Sequence, residues 1–190
     1  MNISKSSAKT IAFLGVMFAL IFVFLLIETY VFSAFFGAST PCALTLPLAI
    51  ALSLSGSKKP MVIGGTLFGC ASFVLAIFIS NPIFINPLIS ILPRLFIGVI
   101  AYGVYHLAKK LCASSDNAFV KDHLPCALGG LFGTLANTVC TIFMMWVFQA
   151  ESLAAVFTTL ISINFIAEVI ASVILVPVYV RVINKITKKV

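Results

Sequence analysis

Six apolar runs, each almost free of charge, constrain this chain more than any other feature: about residues 8–27, 41–54, 60–79, 93–108, 124–148 and 154–182. About 20 apolar residues is the length that crosses a ~30 Å hydrocarbon core as a helix. Only 9% of the residues are charged, against about 25% in soluble domains. With 62% hydrophobic residues and a mean hydropathy of +1.20, there is too little polar surface to cover a water-exposed globule. The pattern predicts an all-α integral membrane protein: one domain over residues 1–190, with six transmembrane helices. Lys5 and Lys9 precede the first run as they would in a signal peptide, but the run exceeds the usual apolar core of such a segment, and it is expected to be a retained helix. The second run is short, about 21 Å as a helix, so the segment before it is expected to dip into the protein. Pro47 adds an expected kink.

Charge sets the orientation. With six spans both termini share one side with the connections at 55–59 and 109–123, and 109–123 is the longest polar connection expected. That side collects every basic residue except Arg94, of the 12 in the chain. The positive-inside bias makes it cytoplasmic, and it accounts for the net charge of +7 without invoking nucleic acid. Glu28 and Tyr30 mark the far end of the first span, and Glu28, Glu151 and Glu168 fall on the outer half.

Polar side chains inside the spans carry the functional reading, because a charge within a membrane is costly and is usually retained for a purpose. At 1.5 Å per residue, Arg94, Asn137 and Asn164 come to a similar level, roughly 10 Å below the outer edge of a ~30 Å core. Glu168 follows Asn164 one turn deeper on the same face. Thr134, Asn137 and Thr141 share one face of the fifth span. Above them lies a loop rich in Asn and Pro that contains Asn81 and Asn86. One reading is structural: Arg94 pairs with Glu168 and the asparagines cross-link helices. The other is a pocket for a small, polar, anionic ligand whose carboxylate takes the guanidinium in bidentate fashion.

Enzyme chemistry finds no support. The two histidines, His106 and His123, lie near the inner ends of spans, and neither a zinc helix of the H-E-x-x-H type nor a G-x-S-x-G elbow is present. The five cysteines have no metal or disulfide spacing, so no metal site is expected. A phosphate-binding G-x-x-x-x-G-K-[ST] loop is also missing, so uphill transport would need an energised partner. Span one offers a face for one: Ala8, Ala12, Gly15 and Ala19 form a stripe of small residues that admits close helix approach. The G-T-L-F-G segment (Gly65 to Gly69) and the pair Gly129 and Gly133 have the same spacing.

The segments N-P-L-I-S-I-L-P-R-L-F-I-G-V-I-A-Y (Asn86 to Tyr102), G-T-L-A-N-T-V (Gly133 to Val139) and N-F-I-A-E-V-I-A-S-V-I-L-V-P (Asn164 to Pro177) resemble the substrate-binding S components of energy-coupling factor vitamin transporters. The resemblance covers nearly the whole chain and is nearest to the pantothenate-specific branch. It implies a subunit that binds one vitamin from outside, between the outer loops and spans four to six. Span one would then dock onto a transmembrane coupling protein driven by two ATPase subunits, and the subunit would topple in the membrane to deliver its cargo. ATP would be used by those partners, and no cofactor is expected in this chain. The family's A-x-x-x-A docking motif would be matched by Ala8 and Ala12, continued by Gly15 and Ala19. For pantothenate, Arg94 would take the carboxylate, and Asn137, Asn164 and Glu168 the hydroxyl or amide groups. Asn81 and Asn86 would sit in the closing loop. Within the family the alternative is a pyridoxine or hydroxymethylpyrimidine carrier, with Glu168 facing a ring nitrogen. Outside it, the alternative is a structural membrane subunit without a ligand.

Overall fold

The computed structural model describes residues 3–32, 34, 42–55, 60–81, 83–114, 117–148 and 163–187, all helices and short turns. The helices are α1 (Ile3–Ile27), α2 (Thr45–Leu54), α3 (Pro60–Phe78), α4 (Pro87–Ser90), α5 (Leu92–Leu111), α6 (Ala118–Val147) and α7 (Ile163–Thr187). A π-helical turn, Glu28–Phe32, continues α1, and a 3-10 turn, Cys112–Ser114, follows α5. Among the described residues, five segments are long and apolar enough to cross a membrane: Ala8–Phe32, Met61–Phe78, Pro87–Ser114, Phe119–Val147 and Asn164–Thr187.

The expected second span is corrected to a half-length helix. At 10 residues, α2 is about 15 Å long, and all of its residues are buried. It sits at the centre of the bundle and touches α1, α3, α5, α6 and α7. A helix apolar on every side belongs in such a place. Pro47 lies in the first turn of α2, where helix N–H groups have no intrahelical partner. It therefore opens a helix and does not kink one.

The expected polar connection at 109–123 is also corrected. Helix α5 runs on to Leu111, and α6 begins at Ala118, capped by the Asn117 side chain, which accepts from Phe119 N at 2.9 Å. Pro125, one residue past the expected start of the fifth span, lies inside α6. The connection at 35–41, the turns at 56–59 and 149–152, the expected start of the last span at 154–162 and the tail from 188 lie outside the described residues.

Glycines let the helices close on one another. A Cβ on Gly65 of α3 would strike the Arg94 carbonyl of α5, and one on Gly98 of α5 would strike the Met61 carbonyl of α3. Gly64 faces the Ala49 carbonyl of α2 in the same way, and Gly69 faces Ile91. On α6, Gly129 and Gly133 lie against Leu54 and Ile50 of α2 and against Ala101 of α5, while Gly130 lies against Ser172 of α7. The small-residue spacings in spans three and five thus serve packing within the bundle. Without a hydrophobic driving force between helices in lipid, this close approach is a main source of association.

Helix α3 ends in a left-handed cap: Asn81 N donates to Ala76 O and Ser80 N to Ile77 O, with Ser80 at φ 52°. This paired pattern satisfies the terminal carbonyls and directs the chain into the Asn/Pro loop.

Gly65→Ala is expected to destabilise the protein by about 1–3 kcal/mol through overpacking, read as a lowered melting temperature in detergent. Gly15→Ala, where an added Cβ meets nothing within 4 Å, should leave the melting temperature unchanged or slightly higher.

Candidate functional site

The site is built where α2 begins. Leu44, at the N-cap position of α2, offers no side-chain cap, and a buried helix start cannot leave its N–H groups unmade. Two carboxylates from distant helices supply the acceptors. Glu28, at the end of α1, accepts from Leu44 N at 2.5 Å, from Thr45 N at 3.0 Å and from Thr45 Oγ1 at 2.6 Å. Glu168 of α7 accepts from Cys42 N at 2.8 Å. Glu28 is 2% exposed, buried where α1 gives way to the π-helical turn. Tyr30, at 64% exposed, does lie on the outer surface of the bundle.

Arg94, in the first turn of α5, is 6% exposed. Its Nη1 donates to Ser90 O at 2.7 Å and Ile89 O at 3.2 Å, at the carbonyl end of α4. The guanidinium carbon lies 5.0 Å from the Phe68 ring centroid and 5.3 Å from that of Phe84, within cation–π range. Its Nε is buried without a hydrogen-bond partner. Among the described residues no carboxylate makes an ion pair with Arg94, so the Arg94–Glu168 pair considered from the sequence is not formed: Glu168 is turned to the Cys42 amide.

Helix register brings the remaining groups together. Ala101 of α5 faces Gly129 and Gly133 of α6, so Arg94, two turns away, comes level with Asn137. Ser172 of α7 faces Gly130 and Thr134, so Glu168, one turn away, reaches that level too. The sequence reading placed Glu168 one turn deeper than the Arg94 level. By this register Glu168 lies close to that level, with Asn164, in the first turn of α7, one turn nearer the start of the helix. Asn137 Oδ1 and Thr141 Oγ1, one turn apart on α6, are buried without hydrogen-bond partners. Thr134, on the same face, is spoken for: it donates back to Gly130 O at 3.0 Å and to Ser172 Oγ at 2.7 Å. Thr141 makes no such return to its own helix, unlike Ser53, Ser55, Thr66, Thr134 and Thr187.

The two loop asparagines shape the loop. Asn81 Oδ1 accepts from Ile83 N at 3.2 Å, and Asn86 Oδ1 accepts from Leu88 N at 3.0 Å to cap α4. Ser90 Oγ donates to Phe84 O, fixing the turn that carries Phe84 over Arg94. The stripe of Ala8, Ala12, Gly15 and Ala19 is exposed along α1, while Met17, Ile21 and Leu25 of the same helix are buried. Trp146 is half exposed near the end of α6, beside Phe143, as an interface anchor would be.

Glu28, Cys42, Phe68 and Phe84 were not singled out from the sequence. The signal for Glu28 was there in part: an acid closing the first apolar run, and a later buried helix with no capping residue of its own.

Chemically the arrangement is asymmetric. A buried cation with an unused N–H donor stands level with the carbonyl oxygen of an amide, beside a carboxylate with one oxygen engaged. Such a set fits an anionic group at one end of a small molecule and hydrogen-bond donors at the other.

No family model matches the chain, and no solved structure matches it. Among characterised proteins it is similar to the pantothenic acid transporter PanT of Lactococcus lactis subsp. cremoris (strain MG1363), with 25% identity over 202 residues that cover 95% of this chain and 96% of PanT. The chain is therefore a multi-pass membrane protein of the bacterial cell membrane, and its resemblance to pantothenate-type S components is met by a transporter that it matches almost from end to end.

Proposed function

We propose that this protein is the substrate-specificity subunit of an energy-coupling factor importer and that its ligand is pantothenate. The observation that carries the reading is Arg94: a guanidinium buried within the bundle, with an orphaned Nε and no carboxylate partner among the described residues. An uncompensated buried charge is strongly destabilising, and a ligand carboxylate would complete it. Pantothenate has that carboxylate, together with an amide N–H and hydroxyls that suit Asn137 Oδ1, Thr141 and Glu168, with Asn164 one turn above. Asn81 and Asn86 contribute by holding the loop that places Phe84. The full-length likeness to a pantothenic acid transporter supports the same ligand.

In this reading both termini are cytoplasmic and the Arg94 level faces outward. The short α2 completes the return pass between α1 and α3, giving six passes in all. The exposed small-residue face of α1 docks onto a transmembrane coupling protein, and two partner ATPases supply the energy from ATP. The chain itself carries out no catalysis and takes no cofactor.

The test is a melting-temperature series in detergent. Pantothenate at 100 times its Kd should stabilise the wild type by about 2.7 kcal/mol, and Arg94→Ala should abolish the shift. A shift with pyridoxine or a hydroxymethylpyrimidine alone would keep the transporter class and overturn the ligand. No shift with any vitamin, in a folded protein, would leave Arg94 as a purely structural tie between α5 and α4.

Asn137→Ala should weaken pantothenate binding about tenfold, the loss of ~1.4 kcal/mol, with little change in the ligand-free melting temperature. Thr134→Val should do the reverse, costing about 0.6 kcal/mol of stability as a lost interhelical hydrogen bond and leaving affinity intact.

A further inference from the structure

The start of α2 joins three parts of the molecule through two carboxylates. Glu28 holds Leu44 and Thr45 from the end of α1, and Glu168 holds Cys42 from α7. Each carboxylate therefore depends on the other for the placement of a short stretch of backbone, residues 42–45. Glu28 sits in a π-helical turn, a rare conformation that recurs at functional sites. It is among the largest fully buried side chains, and its hydrogen bonds among the described residues go to Leu44 and Thr45. Both of its oxygens are committed to α2. Glu168, by contrast, has only Oε1 engaged among the described residues and stands close to the level of Arg94 and Asn137.

We propose that Glu28 is a positioning residue for the ligand site: by capping α2 from the end of α1 it fixes the Cys42 amide, and through that amide it sets the Glu168 carboxylate at the level of Arg94. The proposal rests on reading the Arg94 level as the ligand site. Without Glu28 the first turn of α2 has no side-chain acceptor of its own, because Leu44 occupies the cap position. The Cys42 N–H then loses its fixed approach to Glu168, and the carboxylate loses the bond that holds it to that amide. A Glu168 free to swing to the guanidinium would compete with a ligand carboxylate for the same cation. Glu28 thus keeps Arg94 available by keeping Glu168 occupied.

The experiment measures pantothenate affinity by calorimetry in Glu28→Ala, Glu28→Gln, Thr45→Val and Leu54→Ala. Leu54 lies at the other end of α2 and is 4% exposed, so Leu54→Ala lowers stability without touching the cap. The expected result is a Kd weakened about tenfold or more in Glu28→Ala, near-wild-type affinity in Glu28→Gln, whose amide oxygen still accepts from the backbone, and wild-type affinity in Leu54→Ala. Thr45→Val, which removes only the hydroxyl bond, should give a smaller weakening and keeps the test open if Glu28→Ala fails to fold. Adding Glu168→Gln to Glu28→Ala should restore part of the affinity, because the neutral amide no longer competes for Arg94. Equal affinities in Glu28→Ala, Thr45→Val, Leu54→Ala and the wild type would overturn the proposal. If the wild type binds no pantothenate, the ligand reading fails separately, and hydrogen exchange decides. Faster exchange across residues 42–48 in Thr45→Val and Glu28→Ala, but not in Glu28→Gln or Leu54→Ala, would sustain the positioning role. Unchanged exchange in all four variants would defeat it.

Discussion

A helix that begins inside a membrane protein exposes N–H groups that water cannot satisfy, and each one left unmade costs several kcal/mol. Helix α2 is such a helix, ten residues long and buried from end to end. Its first turn is closed by Glu28 and Glu168, residues that lie at the end of one long helix and near the start of another. The rest of the bundle depends on this closure. With α2 held, α3, α5, α6 and α7 have a common object to pack around, and their glycines bring backbone against backbone at the crossings. The Arg94 carbonyl rests over Gly65, so Arg94 is placed by the same contact that joins α3 to α5.

The site follows from how the charges are shared. Three ionisable groups, Glu28, Glu168 and Arg94, lie around the start of α2, and two of them are carboxyl groups. Simple pairing would neutralise Arg94 with Glu168 and leave little for a ligand to do. Instead both carboxyl groups accept from backbone N–H groups at and just before the start of α2, and among the described residues the guanidinium meets carbonyl oxygens and two aromatic faces. Carbonyls and rings orient a cation without cancelling it. The same ring and carbonyl contacts tie Arg94 to the Asn/Pro loop, so the loop and the cation form one unit.

The sequence revealed the long helices well because a continuous apolar run is a strong signal in lipid. Its errors fell at helix ends. The fifth span was expected to start at Leu124, but the Asn117 side-chain cap starts α6 at Ala118, with Pro125 inside the helix. Asn81 and Asn86 were legible as loop residues, yet their local roles, an Asx turn and a helix cap, emerge only with the backbone. Spacing along each span put Arg94 and Asn137 at one expected level and Glu168 a turn deeper, whereas the relative height of Glu168 depends on how α6 and α7 interlock at Gly130 and Ser172. Glu28 was missed because its partners lie sixteen and seventeen residues on, beyond any local motif.

The proposed function turns on Arg94, whose buried Nε has no hydrogen-bond partner and would be completed by a ligand carboxylate. The direct measurement is calorimetric titration of the wild-type protein with pantothenate and with its alcohol analogue, which keeps the amide and hydroxyls but lacks the acid. The account predicts saturable binding of pantothenate and a loss of at least about tenfold, ~1.4 kcal/mol, for the alcohol. Equal binding of the two molecules would contradict it, because Arg94 would then have no part in recognising the ligand.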